Sequence, residues 1–230
     1  MKRIAIQQSD YIPWKGYFDI IRSVDEFIIY DNVQYTHRDW RNRNKIKTPD
    51  GTLWLTIPVK VKGKYHQMIK ETETADSLWA EKHWKAICLN YAGTPYFDDY
   101  KILFREAYEK AGKIRMLSEI NFLFIELINS IIGIKTRISR AEDYSSAGVK
   151  SERILSICRD AGADKYLTGP SGLKYLDNEK FAREGIKICI ADYTGYPEYN
   201  QPWPPFTHFV SIIDLIFSEG KNCLKYMKTF

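Results

Sequence analysis

The first 31 residues constrain the fold most, because they carry the pattern of two buried strands with a helix between them. Residues 3–8 form a short apolar run, residues 16–23 begin a helical pattern, and residues 26–31 form a second apolar run. This spacing predicts two parallel strands joined by a crossover helix. The chain has 230 residues, enough for one sizeable α/β core, so we predict a single domain over residues 1–230.

The middle of the chain has a different character, with three helical patterns in succession. These patterns cover residues 78–91, 96–112 and 117–132. Pro95 precedes the second pattern, where its missing N–H costs least, and Gly112 and Gly133 are typical helix C-caps. After residue 136 the chain returns to alternating strands and helices. The sequence therefore predicts an α/β fold with a mostly parallel, Rossmann-like sheet and a helical insertion at about residues 78–133.

Composition excludes several classes of function. The formal net charge of +5 is mildly basic and favours small anionic substrates. No block of Lys and Arg reaches five in a row, so no nucleic-acid partner is predicted. The most apolar stretch, residues 120–134, is short and interrupted by polar side chains, and the N-terminus lacks a signal sequence. We expect a soluble, cytoplasmic protein without a membrane span. Its four cysteines have no CxxC spacing, and no metal site is predicted.

The turn after the first predicted strand is the first candidate binding segment. It contains Gln8, Tyr11, Trp14, Gly16 and Tyr17. Ligands of open α/β sheets bind beyond the carboxyl ends of the strands, close to helix N-termini. Gly16 would permit close approach of the backbone, and the aromatic side chains would stack on a base or a sugar. The alternative interpretation is an elaborate structural turn.

A basic segment, residues 31–47, is the second candidate. Its arginines alternate with aromatic and amide side chains. Guanidinium groups bind phosphate or carboxylate with two parallel hydrogen bonds, so three arginines are predicted to hold a diphosphate. The predicted substrate-binding residues of this segment are Gln34, Tyr35, Arg38, Arg41, Asn42 and Arg43. A solvated basic loop is the alternative.

Two residues of the same segment are candidates for the catalytic base. His37 lies among the arginines, and Asp31 ends the second predicted strand. Either could take a proton from a substrate. Asp31 could instead be a partner of its arginine neighbours.

A Gly-Pro-Ser-Gly turn follows another predicted strand. Turns of this kind can hold phosphate through backbone N–H groups, so Gly169 and Ser171 are predicted to bind substrate. The segment lacks the GxxxxGK[ST] pattern, and the chain lacks GxGxxG.

Several segments, in order and spacing, resemble the WbqC-like protein family. They are IAIQQSDYIPWKGYFDII, DNVQYTHRDWRNRNKIKTPDG, LWLTIPV, SERILSIC, YLTGPSGLKYLD and FVSIIDLIFSEG, which together reach from about residue 3 to residue 220. The chain departs from the family pattern at Gln7, where the family often has His, and at Ser9, where it usually has Pro.

The resemblance implies an enzyme of bacterial surface-polysaccharide biosynthesis, of the O-antigen of lipopolysaccharide. The implied reaction is the transfer of an acyl or aminoacyl group to a nucleotide-linked amino-sugar. No cofactor is evident, and a thioester donor, a nucleotide, or an acyl or aminoacyl carrier would be the partners.

Two other functions stay open. A nucleotidyltransferase-like enzyme would use the turn at residues 13–17, which is faintly similar to an HxGH turn but lacks both histidines. The departures at Gln7 and Ser9 also leave open a non-catalytic protein that binds a glycan intermediate.

Overall fold

The computed structural model describes residues 1–230 and contains seven strands and seven α-helices. The strands are β1 (Arg3–Gln7), β2 (Glu26–Ile29), β3 (Arg43–Thr48), β4 (Gly51–Thr56), β5 (Arg137–Arg140), β6 (Lys165–Thr168) and β7 (Lys187–Ile190). The helices are α1 (Lys15–Arg22), α2 (Leu78–Tyr91), α3 (Phe97–Ala111), α4 (Leu117–Ile132), α5 (Ser151–Asp160), α6 (Asn178–Arg183) and α7 (Ile212–Glu219). None of these helices is both long enough and apolar enough to cross a membrane.

Five of the strands form one parallel sheet in the order β5-β2-β1-β6-β7. The predicted α/β class with a mostly parallel sheet is confirmed. From β1 the chain first builds outwards through β2 and β5, and later returns to build β6 and β7 on the other side. The order therefore reverses between β1 and β6. At such a reversal the loops leaving two neighbouring strands diverge, which opens a crevice at their carboxyl ends.

Helices cover both faces of the sheet, as the alternating side chains of β1 require. Ala5 belongs to a cluster of 40 buried residues that includes side chains of α1, α2, α3, α4 and α7. Ile4 and Ile6 belong to a second cluster of 12 buried residues on α5, α6 and the neighbouring strands. Both faces of the parallel strands are buried, which explains their continuous apolar sequences. The helices α2–α4, which follow the hairpin in the chain, share the larger core.

A β-hairpin was missed in the sequence, because half of it lies in the polar segment. β3 pairs antiparallel with β4, in the register Lys45 opposite Trp54. The inward positions of β3 include Asn44 besides Ile46. The Asn44 amide donates to the carbonyl groups of Tyr11 and Ile12, at 3.2 and 2.9 Å. A buried amide that binds backbone in this way breaks the apolar alternation by which a strand is recognised.

The start of α1 depends on a glycine beside an aromatic ring. The indole of Trp14 lies against Gly16, and a Cβ atom at Gly16 would be 2.3 Å from the Trp14 ring. The packing of the Trp14 ring therefore requires a glycine at position 16. The ring is fixed where it also meets Tyr193 and Phe209, at centroid distances of 5.1 and 6.3 Å.

We expect Gly16→Ala to lower the free energy of unfolding by about 1–3 kcal/mol, because the added methyl group overpacks this contact. In open space the same change in a helix would be neutral or stabilising. Gly93→Ala, in the turn after α2, is the control for an added methyl group without overpacking, since a Cβ there meets nothing within 4 Å. The measurement is urea denaturation of both variants. Equal stability of the two would contradict the packing role of Gly16.

Candidate functional site

A cleft of about 670 Å³ opens at the carboxyl ends of β1 and β6, where the strand order reverses. This is the position at which open α/β sheets bind ligands. Its lining comes from the ends of β1 and β6, the turn after each of these strands, the residues after β2, Arg41 of the basic segment and the start of α5. The polar and aromatic lining residues are Gln7, Gln8, Asp10, Tyr30, Arg41, Lys150, Ser151, Arg153, Tyr166, Thr168, Ser171 and Tyr175.

The turn after β6 forms one wall of the cleft. Residues Pro170–Lys174 form a 3-10 helix directly behind the strand. Gly172 must lack a side chain, because a Cβ there would be 2.2 Å from the Oγ1 atom of Thr168. This tight packing holds Ser171 in the cleft wall. Gly169 is half-buried just outside the cleft lining, below the ring of Tyr193.

The opposite wall is cationic. Lys150 precedes α5 with a φ of 50°, a backbone conformation that non-glycine residues rarely adopt, and Arg153 follows in the first turn. The guanidinium of Arg153 lies 5.5 Å from the ring centre of Tyr30. The Nε atoms of Arg153 and Arg41 are both buried without a hydrogen-bond acceptor. Lys150, Arg153 and a helix N-terminus therefore face one cleft, together with Arg41, whose charge is shared with Asp10 and Asp39. The two cations at the start of α5 favour an anionic ligand.

Asp10 is the one acidic residue that lines the cleft. Its carboxylate pairs with the guanidinium of Arg41, which also lies 3.7 Å from Asp39. Burial raises the pKa of Asp10 to about 6, and the positive charge of Arg41 offsets only part of this rise. A carboxylate with this pKa is ionised at pH 7 and is a stronger base than an ordinary aspartate. Asp10 can therefore accept a proton at neutral pH.

A second, smaller pocket of about 140 Å³ adjoins Asp10. We call it the aromatic pocket. It is lined by Asp10, Pro13, Trp14, Trp40, Asn44 and Phe209. Asp10 lines both the cleft and the aromatic pocket, so this residue lies between the two. We missed Asp10 in the sequence, although its place three residues after β1, in the turn already singled out, was an available signal.

The two predicted catalytic residues do not line the cleft or the aromatic pocket. Asp31 is buried and accepts hydrogen bonds from the backbone N–H and hydroxyl of Ser9, at 2.8 and 2.6 Å, and from the hydroxyl of Ser118. Its oxygens are thus occupied by protein donors, and its role is to position the turn. His37 is exposed, with its ring 5.6 Å from that of Tyr35. Tyr35 itself is buried.

The turn after β1 divides into lining and supporting residues. Gln8 lines the cleft and Trp14 lines the aromatic pocket. Tyr17 is buried and donates a hydrogen bond from its hydroxyl to the Gln8 carbonyl at 3.1 Å. Tyr11 is fully buried, with its hydroxyl 2.9 Å from both His83 Nδ1 and the Tyr108 hydroxyl. The expected stacking of Tyr11 on a ligand is therefore corrected, because its ring belongs to the core.

The three arginines do not come together as the predicted diphosphate-binding site. Only Arg41 lines the cleft. Arg43 instead donates to the Arg38 carbonyl and lies 4.3 Å from the ring centre of Trp54. Arg43 is the first residue of β3 and packs on the hairpin, while Arg38 lies in the turn before this strand.

The amide side chains of Asn42 and Gln34 in the basic segment also bind other parts of the protein. Asn42 is buried and donates to the Ile57 carbonyl at 2.8 Å. Gln34 is exposed and donates to the Tyr65 carbonyl at 2.8 Å. Neither lines the cleft.

The two departures from the family pattern have different surroundings. Gln7 lines the cleft, so this departure falls within the candidate site. Ser9 is fully buried and uses both its N–H and its hydroxyl to bind Asp31. A proline at this position has no N–H and could not make the backbone bond. In this chain Ser9 is part of the support of the turn.

No group of three or more His, Cys, Asp or Glu side chains lies close enough together to hold a metal ion. The four cysteines are unpaired, and burial raises the pKa of Cys158 and Cys223 to about 12. Buried thiols with such a pKa are not nucleophiles at neutral pH.

Fold and cleft together define a Rossmann-like α/β protein with a candidate ligand site at the switch point of its sheet. The model of the WbqC-like protein family matches residues 8–226, so the chain belongs to that family. The chain is 44% identical, over 228 residues, to the uncharacterized protein Rv1507c of Mycobacterium tuberculosis (strain ATCC 25618 / H37Rv), and the match covers 99% of this chain and 98% of that protein. No solved structure matches the chain. The resemblance deduced from the sequence motifs is confirmed.

The pKa of Asp10 leads to a prediction on stability. The carboxyl group titrates near 3.9 in an unfolded chain and at about 6 in the folded protein, so the folded protein holds the proton more tightly. Its stabilising contribution is therefore complete below about pH 4 and is lost as the pH rises through 6. We expect the unfolding free energy of wild type minus that of Asp10→Asn to fall by about 1–3 kcal/mol between pH 4 and 7.

Denaturant unfolding of both proteins across this pH range measures the difference. Asp19, whose pKa is also raised to about 6 by burial, is present in both proteins and cancels. Parallel stability curves would mean that the Asp10 carboxyl group has an ordinary pKa.

Proposed function

We propose that this protein transfers an acyl or aminoacyl group to the amino group of a nucleotide-linked amino-sugar. The observation that carries this proposal is the place of Asp10, between an anion-attracting cleft and a small aromatic pocket. A transferase must bring two substrates to one point, and a base is needed there to accept the proton of the attacking amine.

The cleft suits the nucleotide-sugar. Lys150, Arg153 and Arg41, together with the N-terminus of α5, would bind the diphosphate. Tyr175 is exposed at the cleft and offers a flat ring on which a base can stack. The polar side chains of Gln7 and Gln8 lie near Asp10 along the strand end and would bind sugar hydroxyls.

The chemistry at Asp10 is a nucleophilic acyl substitution. The amine nitrogen attacks the carbonyl carbon of a thioester, a carbon–nitrogen bond forms, and the carbon–sulfur bond breaks. The Asp10 carboxylate accepts the proton from the amine, and the departing thiolate is protonated in turn. A base with a pKa of about 6 matches this task near neutral pH. Asp10 takes the role that the sequence assigned to Asp31 or His37.

Membership of the WbqC-like family supports a place for this reaction in bacterial surface-polysaccharide (O-antigen) biosynthesis. Nucleotide-linked sugars are made in the cytoplasm, and we propose that the protein acts there.

The nucleotidyltransferase alternative is less well supported. It would need an open anion site at the start of α1, where Trp14 instead fills the space beside Gly16.

Ligand binding is tested by thermal shift with UDP- and TDP-amino-sugars, ATP, CTP and coenzyme A. A ligand at 100 times its dissociation constant adds about 2.7 kcal/mol to the free energy of unfolding. We expect an amino-sugar nucleotide to stabilise the protein, and Arg153→Ala to weaken its binding about tenfold or more, since a charge-assisted hydrogen bond is lost.

Arg159→Ala is the matched control. It removes an arginine from the same helix, but this side chain pairs with Glu184 and does not line the cleft. Stabilisation by nucleoside triphosphates alone would favour a nucleotidyltransferase. Equal effects of the two variants would exclude the cleft as the binding site.

Turnover is tested with Asp10→Asn. We expect this variant to bind the amino-sugar nucleotide and to lose about 10²–10⁴-fold in kcat, the usual contribution of a general base. The kcat/KM of wild type should rise with pH around 6, because the base must be ionised. Asp50→Asn, at the exposed end of the hairpin, is the control. Binding without turnover in wild type, across a panel of thioester donors, would favour a non-catalytic binding protein.

A further inference from the structure

The hairpin beside the aromatic pocket has an unusual surface, which none of the roles above explains. Trp40 and Trp54 are 42% and 39% exposed, although their rings contact each other at 5.5 Å between centroids. Arg43 and Lys45 lie over the Trp54 ring, at 4.3 and 4.8 Å from its centre. We call these four side chains the hairpin face. Exposed aromatic groups interleaved with cations are typical of interaction surfaces.

The charge of the protein is concentrated in this region. Residues 31–64 contain eight Lys and Arg against three Asp, a net charge of +5, which equals the formal net charge of the entire chain. The residues outside this region carry equal numbers of positive and negative formal charges. This charge favours an acidic partner on this part of the surface, where Arg43 and Lys45 supply the positive charge of the hairpin face.

The hairpin face is continuous with the aromatic pocket. Trp40 belongs to both, and Phe209, which is 70% exposed, lines the same pocket. The Ser211 N–H donates to the Lys45 carbonyl at 2.8 Å, which holds the Phe209 segment against β3. The pocket leads from this surface to Asp10. A group that is carried on a partner at the hairpin face can thus reach the base without passing through the cleft.

We propose that the hairpin face docks an acidic acyl or aminoacyl carrier protein, whose thioester-bearing arm enters the aromatic pocket. This proposal rests on the proposed function and names the donor side of the reaction. The pocket of about 140 Å³ limits the transferred group to a small one, of about the size of a benzene molecule.

Docking is measured first by binding, without any turnover. The probes are two fluorescently labelled acidic carrier proteins with their phosphopantetheine arms attached, one acyl carrier and one aminoacyl carrier, together with a single-stranded oligonucleotide. We expect a carrier to bind with an affinity that falls as salt rises, and Lys45→Glu to weaken this binding at least tenfold. Lys82→Glu is the matched control, an exposed lysine on α2 that is not part of the hairpin face.

The second measurement compares donors. For Lys45→Glu we expect KM for the carrier-bound thioester to rise at least tenfold, while KM for the same acyl group on free pantetheine stays unchanged. Trp54→Ala serves as a second variant, in which the contact surface is removed without a change of charge. Circular dichroism confirms that both variants are folded.

The outcomes separate the two proposals. If a carrier binds at the hairpin face but no donor supports transfer, docking stands and the proposed reaction is wrong. If free pantetheine thioesters are used and neither carrier binds, the reaction stands and docking is overturned. An equal loss of carrier binding in Lys45→Glu and Lys82→Glu also overturns docking. So does binding of the oligonucleotide without binding of either carrier.

Discussion

The carboxylate of Asp31 is the contact on which the candidate site depends. It lies beyond the end of β2, binds Ser9 beyond the end of β1, and binds Ser118 in α4. The Asn121 amide of the same helix extends this network to the Ser9 hydroxyl and the Arg41 carbonyl, at 3.0 and 2.9 Å. Two strand ends, one helix and the basic segment are thereby fixed around a single buried anion, whose removal would leave several buried donors unpaired.

The turn that this network fixes carries Asp10 between the cleft and the aromatic pocket. A carboxylate held there is destabilised by burial, as the raised pKa records, and it persists because Arg41 pairs with it and the surrounding turn is rigid. Such local destabilisation is common where a group must accept or donate protons. The same turn is thus held by the Asp31 network and carries the candidate base, Asp10.

The strand and helix patterns at both ends of the chain were predictable, because parallel strands buried on two faces have continuous apolar sequences. The hairpin was missed, since Asn44 on its inner face binds backbone carbonyls and hides the alternation. The three arginines were grouped by their proximity in sequence. Arg43 instead begins β3 and packs on Trp54 of the hairpin, and Arg38 lies in the preceding turn with a φ of 58°, so only Arg41 lines the cleft.

The sequence by itself determined the α/β class, the family and the turn after β1 as the place to search, because these depend on local periodicity and on ordered motifs. Tertiary structure alone decided which side chains of that turn face a ligand. Tyr11, an aromatic residue suited to stacking, is in the core because His83 and Tyr108 meet its hydroxyl there. Asp10 became the candidate base because Arg41 and the cleft surround it. Burial and charge are set by residues distant in the chain, and no local pattern encodes them.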